Sequence, residues 1–148
     1  MSRIVRKSKY RHVFCKASKP EHHYLGLRPS DKSWDTNYIA VNPERFSVLW
    51  KSAGGGSVCV HELSKKGKHG LNDWTLLSGH QGPVLDMDWS PFNDNILATV
   101  AEDCKLRVWQ IPEGGMTGNI ETPVQTLSGH GRKVGTVNFH PCAENIAC

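Results

Sequence analysis

No two of the five cysteines, at positions 15, 59, 104, 142 and 148, stand in a C-x-x-C pair, and their number is odd. That distribution gives no disulfide framework and fits reduced thiols. His130, His140, Cys142 and Cys148 crowd the last residues but lack paired C-x-x-C or H-x-x-x-H spacing, so neither a metal nor another cofactor is expected. No apolar run approaches the ~20 residues of a membrane-spanning helix. The start lacks the apolar core of a signal peptide, and Ser2 stands where myristoylation needs glycine. The expectation is a cytoplasmic protein that meets membranes at most peripherally. Acidic residues are scarce at one end of the chain. Residues 1–33 set nine Lys and Arg against Glu21 and Asp31, a net +7, so with +4 for the whole chain residues 34–148 carry −3. A positive field so localised points to an acidic partner, whether nucleic acid, anionic membrane or protein, unless it is only a solvated tail.

What is present is a repeat. Leu77 to Ala98 aligns without a gap with Leu127 to Cys148 at an offset of 50 residues, and eight of the 22 positions are identical. Leu-Ser-Gly-His opens both copies, Val84 matches Val134, Pro91 matches Pro141, and Asn95-Ile96 matches Asn145-Ile146. The first copy reads as a blade of β structure. Gly79-His80 opens a loop into a strand over Val84–Ser90, residues 91–94 turn, Asn95–Val100 returns, and Glu102-Asp103 turns tightly into Lys105–Ile111. This unit resembles a WD repeat, with Trp109-Gln110 in place of Trp-Asp. The resemblance implies a hydrogen-bonded tetrad of His80, Thr99, Asp103 and Trp109. A buried carboxylate and imidazole must find partners in any case, and a relay of donors and acceptors satisfies both. A catalytic His-Asp pair is the alternative, but no nucleophile accompanies it.

Upstream, Gly54-Gly55-Gly56-Ser57 is not followed by Gly-Lys-Ser/Thr, and Val58 to Leu63 alternates as a strand does. It reads as a hairpin turn between Phe46–Lys51 and Ser57–Leu63, not as a phosphate loop. His22-His23 reads as an exposed loop. Lys65-Lys66-Gly67-Lys68-His69-Gly70 reads as a solvated basic connector, with a contact to an acidic partner or lipid as the alternative.

Several motifs together narrow the family. Ser8 to Phe14, Leu27-Arg28, Ser33-Trp34-Asp35, Ala40 to Pro43 and Ala53 to Gly56 are followed by Gly79 to Trp89, Glu102-Asp103-Cys104 and Val108 to Glu113. Nearly the whole chain in this way resembles the N-terminal part of a coronin. The resemblance implies an all-β, seven-bladed WD-repeat propeller, here incomplete with N-terminal blades only. It also implies a non-catalytic scaffold on filamentous actin in the actin cytoskeleton, acting with the Arp2/3 complex and cofilin through the full-length protein, and no nucleic-acid partner. The family's key actin-contacting arginine matches Arg28, and Arg6, Lys7, Lys9 and Arg11 of the same basic segment are further candidates. A WD-repeat adaptor for another acidic protein or an anionic membrane is the competing reading. The chain departs from the family's pattern in Leu27-Arg28-Pro29-Ser30 for Ile-Arg-Val-Ser, Cys15 for Gly, Thr99-Val100-Ala101 for Ser-Gly-Ser, and Phe139 for Trp.

The expected division is 1–66 for the basic segment and first blade, 67–111 for the repeat with its tetrad, 112–125 for a connecting loop and 126–148 for a shortened second repeat. The tetrad counterparts of that repeat would fall at 149, 153 and 159, so a longer parent protein is expected. On this reading residues 145–148 form an unpaired edge, and the apolar faces around Val84, Leu97, Val108 and Val134 lack cover.

Overall fold

A computed structural model describes residues 16–32 and 35–148. Its strands, in chain order, are β1 (Tyr24–Leu25), β2 (Ile39–Val41), β3 (Arg45–Trp50), β4 (Gly56–Glu62), β5 (Gly67–Lys68), β6 (Thr75–His80), β7 (Val84–Trp89), β8 (Ile96–Ala101), β9 (Lys105–Gln110) and β10 (Gln125–Ser128). They build two four-stranded antiparallel sheets, ordered β2-β3-β4-β6 and β7-β8-β9-β10, while β1 and β5 pair in parallel at the side of the first. The chain is all-β, two propeller blades with the beginning of a third.

Alternation decides which residues lie between the sheets. Leu49, Val58, Val60 and Leu77 of the first sheet meet Met87, Trp89, Leu97, Trp109 and Ile111 of the second in one buried core. The intervening residues of the first sheet, Phe46, Val48 and Cys59, turn to its other face, where Tyr24, Leu27 and Trp74 cover them. On the far face of the second sheet, Ala98 and Val100 pack against Val137, with Val134 and Phe139 beside them.

The sequence repeat and the sheets are out of phase. Gly79-His80 does not open a loop but ends β6, which pairs with β4 and completes the first sheet. Likewise β10, at the head of the second repeat, pairs with β9 and completes the second sheet. Each repeat thus gives its first strand to the sheet before it, because the apolar strand after the long connection finds an open edge there. The connection itself is not idle: Ile120 exchanges backbone hydrogen bonds with Leu76 and Ser78 along the outer edge of β6.

Two expectations about exposure need correcting. Val84 and Leu97 are buried, because the first sheet itself covers that face, whereas Val108 and Val134 are half-exposed. Residues 145–148 are also not unpaired, since Asn138 and Cys148 exchange backbone hydrogen bonds and His140 donates to Ile146, a hairpin around Pro141 with Asn145 at φ 61°. The connector at 65–70 contains β5 and is tied into the fold.

Polar contacts fix the ends of the sheets against each other. Arg45, 3% exposed, reaches from β3 to Asn95 Oδ1 at 2.7 Å and Asp94 O at 3.2 Å in the turn before β8. Asn42 donates to the same Asp94 oxygen at 2.8 Å, while its own Oδ1 accepts the Glu44 and Arg45 amides and closes the β2–β3 turn. Closest approach occurs at Gly56, where a Cβ would fall onto the Gly82 carbonyl oxygen and lie 2.9 Å from the Val84 amide nitrogen. Gly56→Ala should therefore force the sheets apart and cost about 1–3 kcal/mol, as overpacking does. Gly118→Ala, with nothing near, should be almost silent in the same urea titrations; equal midpoints for the two variants would contradict this packing.

Candidate functional site

Four residues from both sheets meet in a hydrogen-bond chain. His80 ends the first sheet, Thr99 sits in β8, Asp103 in the β8–β9 turn and Trp109 in β9. Trp109 Nε1 donates to Thr99 Oγ1 at 2.8 Å, the Thr99 hydroxyl lies 2.8 Å from His80 Nε2, and His80 Nδ1 lies 3.1 Å from both Asp103 oxygens. One proton assignment satisfies every group. Trp109 and Thr99 donate in turn, and a neutral imidazole accepts at Nε2 and donates from Nδ1 to the carboxylate. Asp103 further accepts the Gln81 and Lys105 amides and the Arg107 guanidinium, the last at 3.2 Å.

The electrostatics agree with that assignment. Burial lowers the His80 pKa from its usual 6.5, more than the opposing Asp103 charge raises it. Burial would raise the Asp103 carboxyl, but the Gln81 amide, His80 and Arg107 together hold it below the usual carboxylate range. Thr99 is wholly buried. Its oxygen already serves two partners, and no substrate can reach it as a nucleophile.

The basic candidates lie elsewhere. Arg6, Lys7, Lys9 and Arg11 fall outside the described residues, but Arg28 is exposed and its backbone is fixed. Lys51 donates to the Arg28 carbonyl at 2.9 Å and Ser30 donates to Leu49 O at 2.8 Å, so Pro29 stands opposite Trp50 in an antiparallel bridge. A proline fits there because the two hydrogen bonds come from its neighbours and its own nitrogen points away from β3. Leu49 also donates to Tyr38 O, so residues 28–30 and β2 share one edge of β3. The tetrad and Arg28 thus occupy separate places.

Sequence reasoning missed two features. Asp86 and Asp88 of β7 accept the backbone amides of Val137 at 3.0 Å and Phe139 at 2.7 Å, pinning the start of the third blade. Two carboxylates alternating with apolar residues inside a strand were the available signal. The second is a histidine and tryptophan cluster at His61, His69 and Trp74, which unite only when β4, β5 and the turn before β6 are folded together.

A family model described as a domain of unknown function (DUF1899) matches residues 3–68, and one described as WD domain, G-beta repeat matches 73–110. Coronin-A of Dictyostelium discoideum is 50% identical over 129 residues, covering 86% of this chain and 28% of that protein. The chain belongs to the coronin family. Coronin-like protein crn1 of Schizosaccharomyces pombe is 41% identical over 148 residues, covering 97% of this chain and 24% of the relative. The crystal structure of the WD40 domain from Toxoplasma gondii coronin superposes with a TM-score of 0.80 at 31% identity, covering 86% of this chain and 32% of that one. This coronin sequence therefore spans about a quarter of the length of the curated relatives it matches.

Two outcomes test the tetrad. Asp103→Ala leaves His80 Nδ1 and two backbone amides short of an acceptor and should cost about 1–3 kcal/mol per buried unsatisfied group, read as a lower melting temperature. Since the His80 and Asp103 pKa values are both depressed on folding, their contribution is present above the unfolded values and is lost on acidification, from pH 6.5 downward for His80 and below 3.8 for Asp103. Denaturant midpoints should accordingly fall as the pH drops below 6.5; a flat profile from pH 7.5 to 4 would contradict a neutral, buried His80.

Proposed function

We propose that this chain is part of a non-catalytic propeller scaffold that binds actin filaments and organises the actin cytoskeleton in the cytoplasm. The observation that carries this is Arg28. It stands exposed on a fixed backbone, among the described residues no carboxylate pairs with it, and it belongs to a segment of net charge +7 in a coronin sequence. Opposite charge on an acidic filament would be steered to such a surface. The tetrad supports the same reading from the other side, because a His-Asp pair whose every hydrogen-bonding group is engaged and buried favours a structural role over catalysis. Contacts to the Arp2/3 complex and cofilin belong, on this proposal, to the full-length protein. Among the described residues no helix is long and apolar enough to cross a membrane.

Co-sedimentation with filamentous actin provides the test. Arg28→Asp should weaken binding at least about fivefold, as loss of a central interface arginine does, and added salt should weaken it further because exposed charges are screened within ~8 Å at physiological ionic strength. Binding indifferent to both would transfer the assignment to an adaptor for another acidic protein or an anionic membrane.

A further inference from the structure

His61 and His69 share one acceptor. His61, on β4 and 7% exposed, places Nε2 3.0 Å from the Lys65 carbonyl oxygen, and His69, just after β5, places Nε2 3.1 Å from the same atom. A carbonyl oxygen has two lone pairs, so two neutral rings each donating from Nε2 satisfy it. The ring centroids lie only 4.6 Å apart, with Trp74 at 4.7 Å from His61 and 4.9 Å from His69, and Phe46 and Tyr24 complete the wall around His61.

What this pair holds is the attachment of β1. The loop anchored at Lys65 carries β5, and β5 is the strand on which β1 lies: Gly67 donates to His23 O at 2.6 Å and His69 donates to Leu25 O at 3.0 Å. The Tyr24 hydroxyl donates to Leu63 O at 2.6 Å beside them. Contact is so close at Gly26, φ +101°, that a Cβ there would lie 2.6 Å from the His69 carbonyl oxygen. Beyond these bonds β1 has two residues of pairing, too few to persist unaided.

We propose that His61, which shares its carbonyl acceptor with His69, is a proton-operated latch that docks β1 on the first sheet when it is neutral and releases β1 when it is protonated. A proton on His61 places a charge among the Tyr24, Phe46 and Trp74 rings, with the His69 ring centroid only 4.6 Å away. The surrounding charges make this worse. Lys65, Lys66 and Lys68 lie on the loop and β5, and His22 and His23 lead into β1. The nearby carboxylates are engaged already, Glu62 with Lys65 Nζ at 2.9 Å and Asp73 with the Gly70 amide at 2.6 Å. The Trp74 ring, tilted 53° to His61 with its centroid 4.7 Å away, returns part of the loss by cation–π attraction. Burial nevertheless lowers the His61 pKa below 6.5, with His69 and Lys65 adding to it against the Lys65 carbonyl and Glu62. A depressed value means that docking is secure above pH 6.5 and fails as the pH falls through the folded value. The docking of β1 is thereby tied to acidification.

Amide hydrogen exchange of the 148-residue chain at pH 7.5 and 5.5, corrected for intrinsic rates, tests the latch. Protection of the Gly67 and His69 amides should fall at least about tenfold relative to the amides of β8, since local opening need not involve the sheets. The fall should vanish in His61→Gln, whose side-chain amide can still donate to the Lys65 carbonyl. Should that variant not fold, the imidazole titration of His61 in the wild-type chain must share its midpoint with the loss of protection. Equal protection at both pH values, a fall that persists in His61→Gln, or a His61 midpoint displaced from the opening would each overturn the proposal.

Discussion

The Thr99 hydroxyl joins the two sheets by directional chemistry. Apolar burial between them is large but non-directional, and two greasy faces can slide by a strand spacing without losing much area. The chain from Trp109 through Thr99 and His80 to Asp103 removes that freedom, since each donor meets its acceptor in one relative placement only. His80 belongs to the first sheet and the other three to the second, so the register between blades is set by the same atoms that satisfy the buried polar groups. Because Asp103 also organises the β8–β9 turn through the Lys105 amide, turn geometry and blade placement depend on a single carboxylate.

Hydrogen-bond chemistry of this kind was legible through the resemblance to a WD repeat, since within this chain only His80 recurs, as His130. That resemblance implied His80, Thr99, Asp103 and Trp109, while turn residues between apolar stretches marked the strands over 84–90, 95–100 and 105–111. Strand ownership was not marked in this way. Nothing local to Leu77–His80 tells whether it pairs forward or backward, since an apolar strand pairs with whichever edge is open, and the choice depends on β4 some 20 residues earlier. The same reason hides the covering of Val84 and Leu97, which needs knowledge of a neighbouring sheet rather than of the repeat. Arg28 is a different case. The family resemblance selected it, and a residue that precedes proline favours extended backbone, but the bridge to Trp50 depends on β3.

The cluster at His61, His69 and Trp74 was illegible because its members are ordinary individually. His61 alternates out of a strand, His69 closes a basic connector, and Trp74 precedes β6; only the shared Lys65 carbonyl gives them a common chemistry. Asp86 and Asp88 are similar, acidic residues on β7 whose purpose appears once the backbone of 137–139 arrives beside them. In both instances the partner is a main-chain group, which no side-chain pattern advertises.

Pro29 has a further consequence for the rim of the first sheet. On the side of residues 28–30 turned away from β3, which no strand among the described residues pairs, an arriving strand would look for a main-chain donor at Pro29 and find a pyrrolidine ring. Strand-by-strand growth from that rim is thereby interrupted at its middle residue.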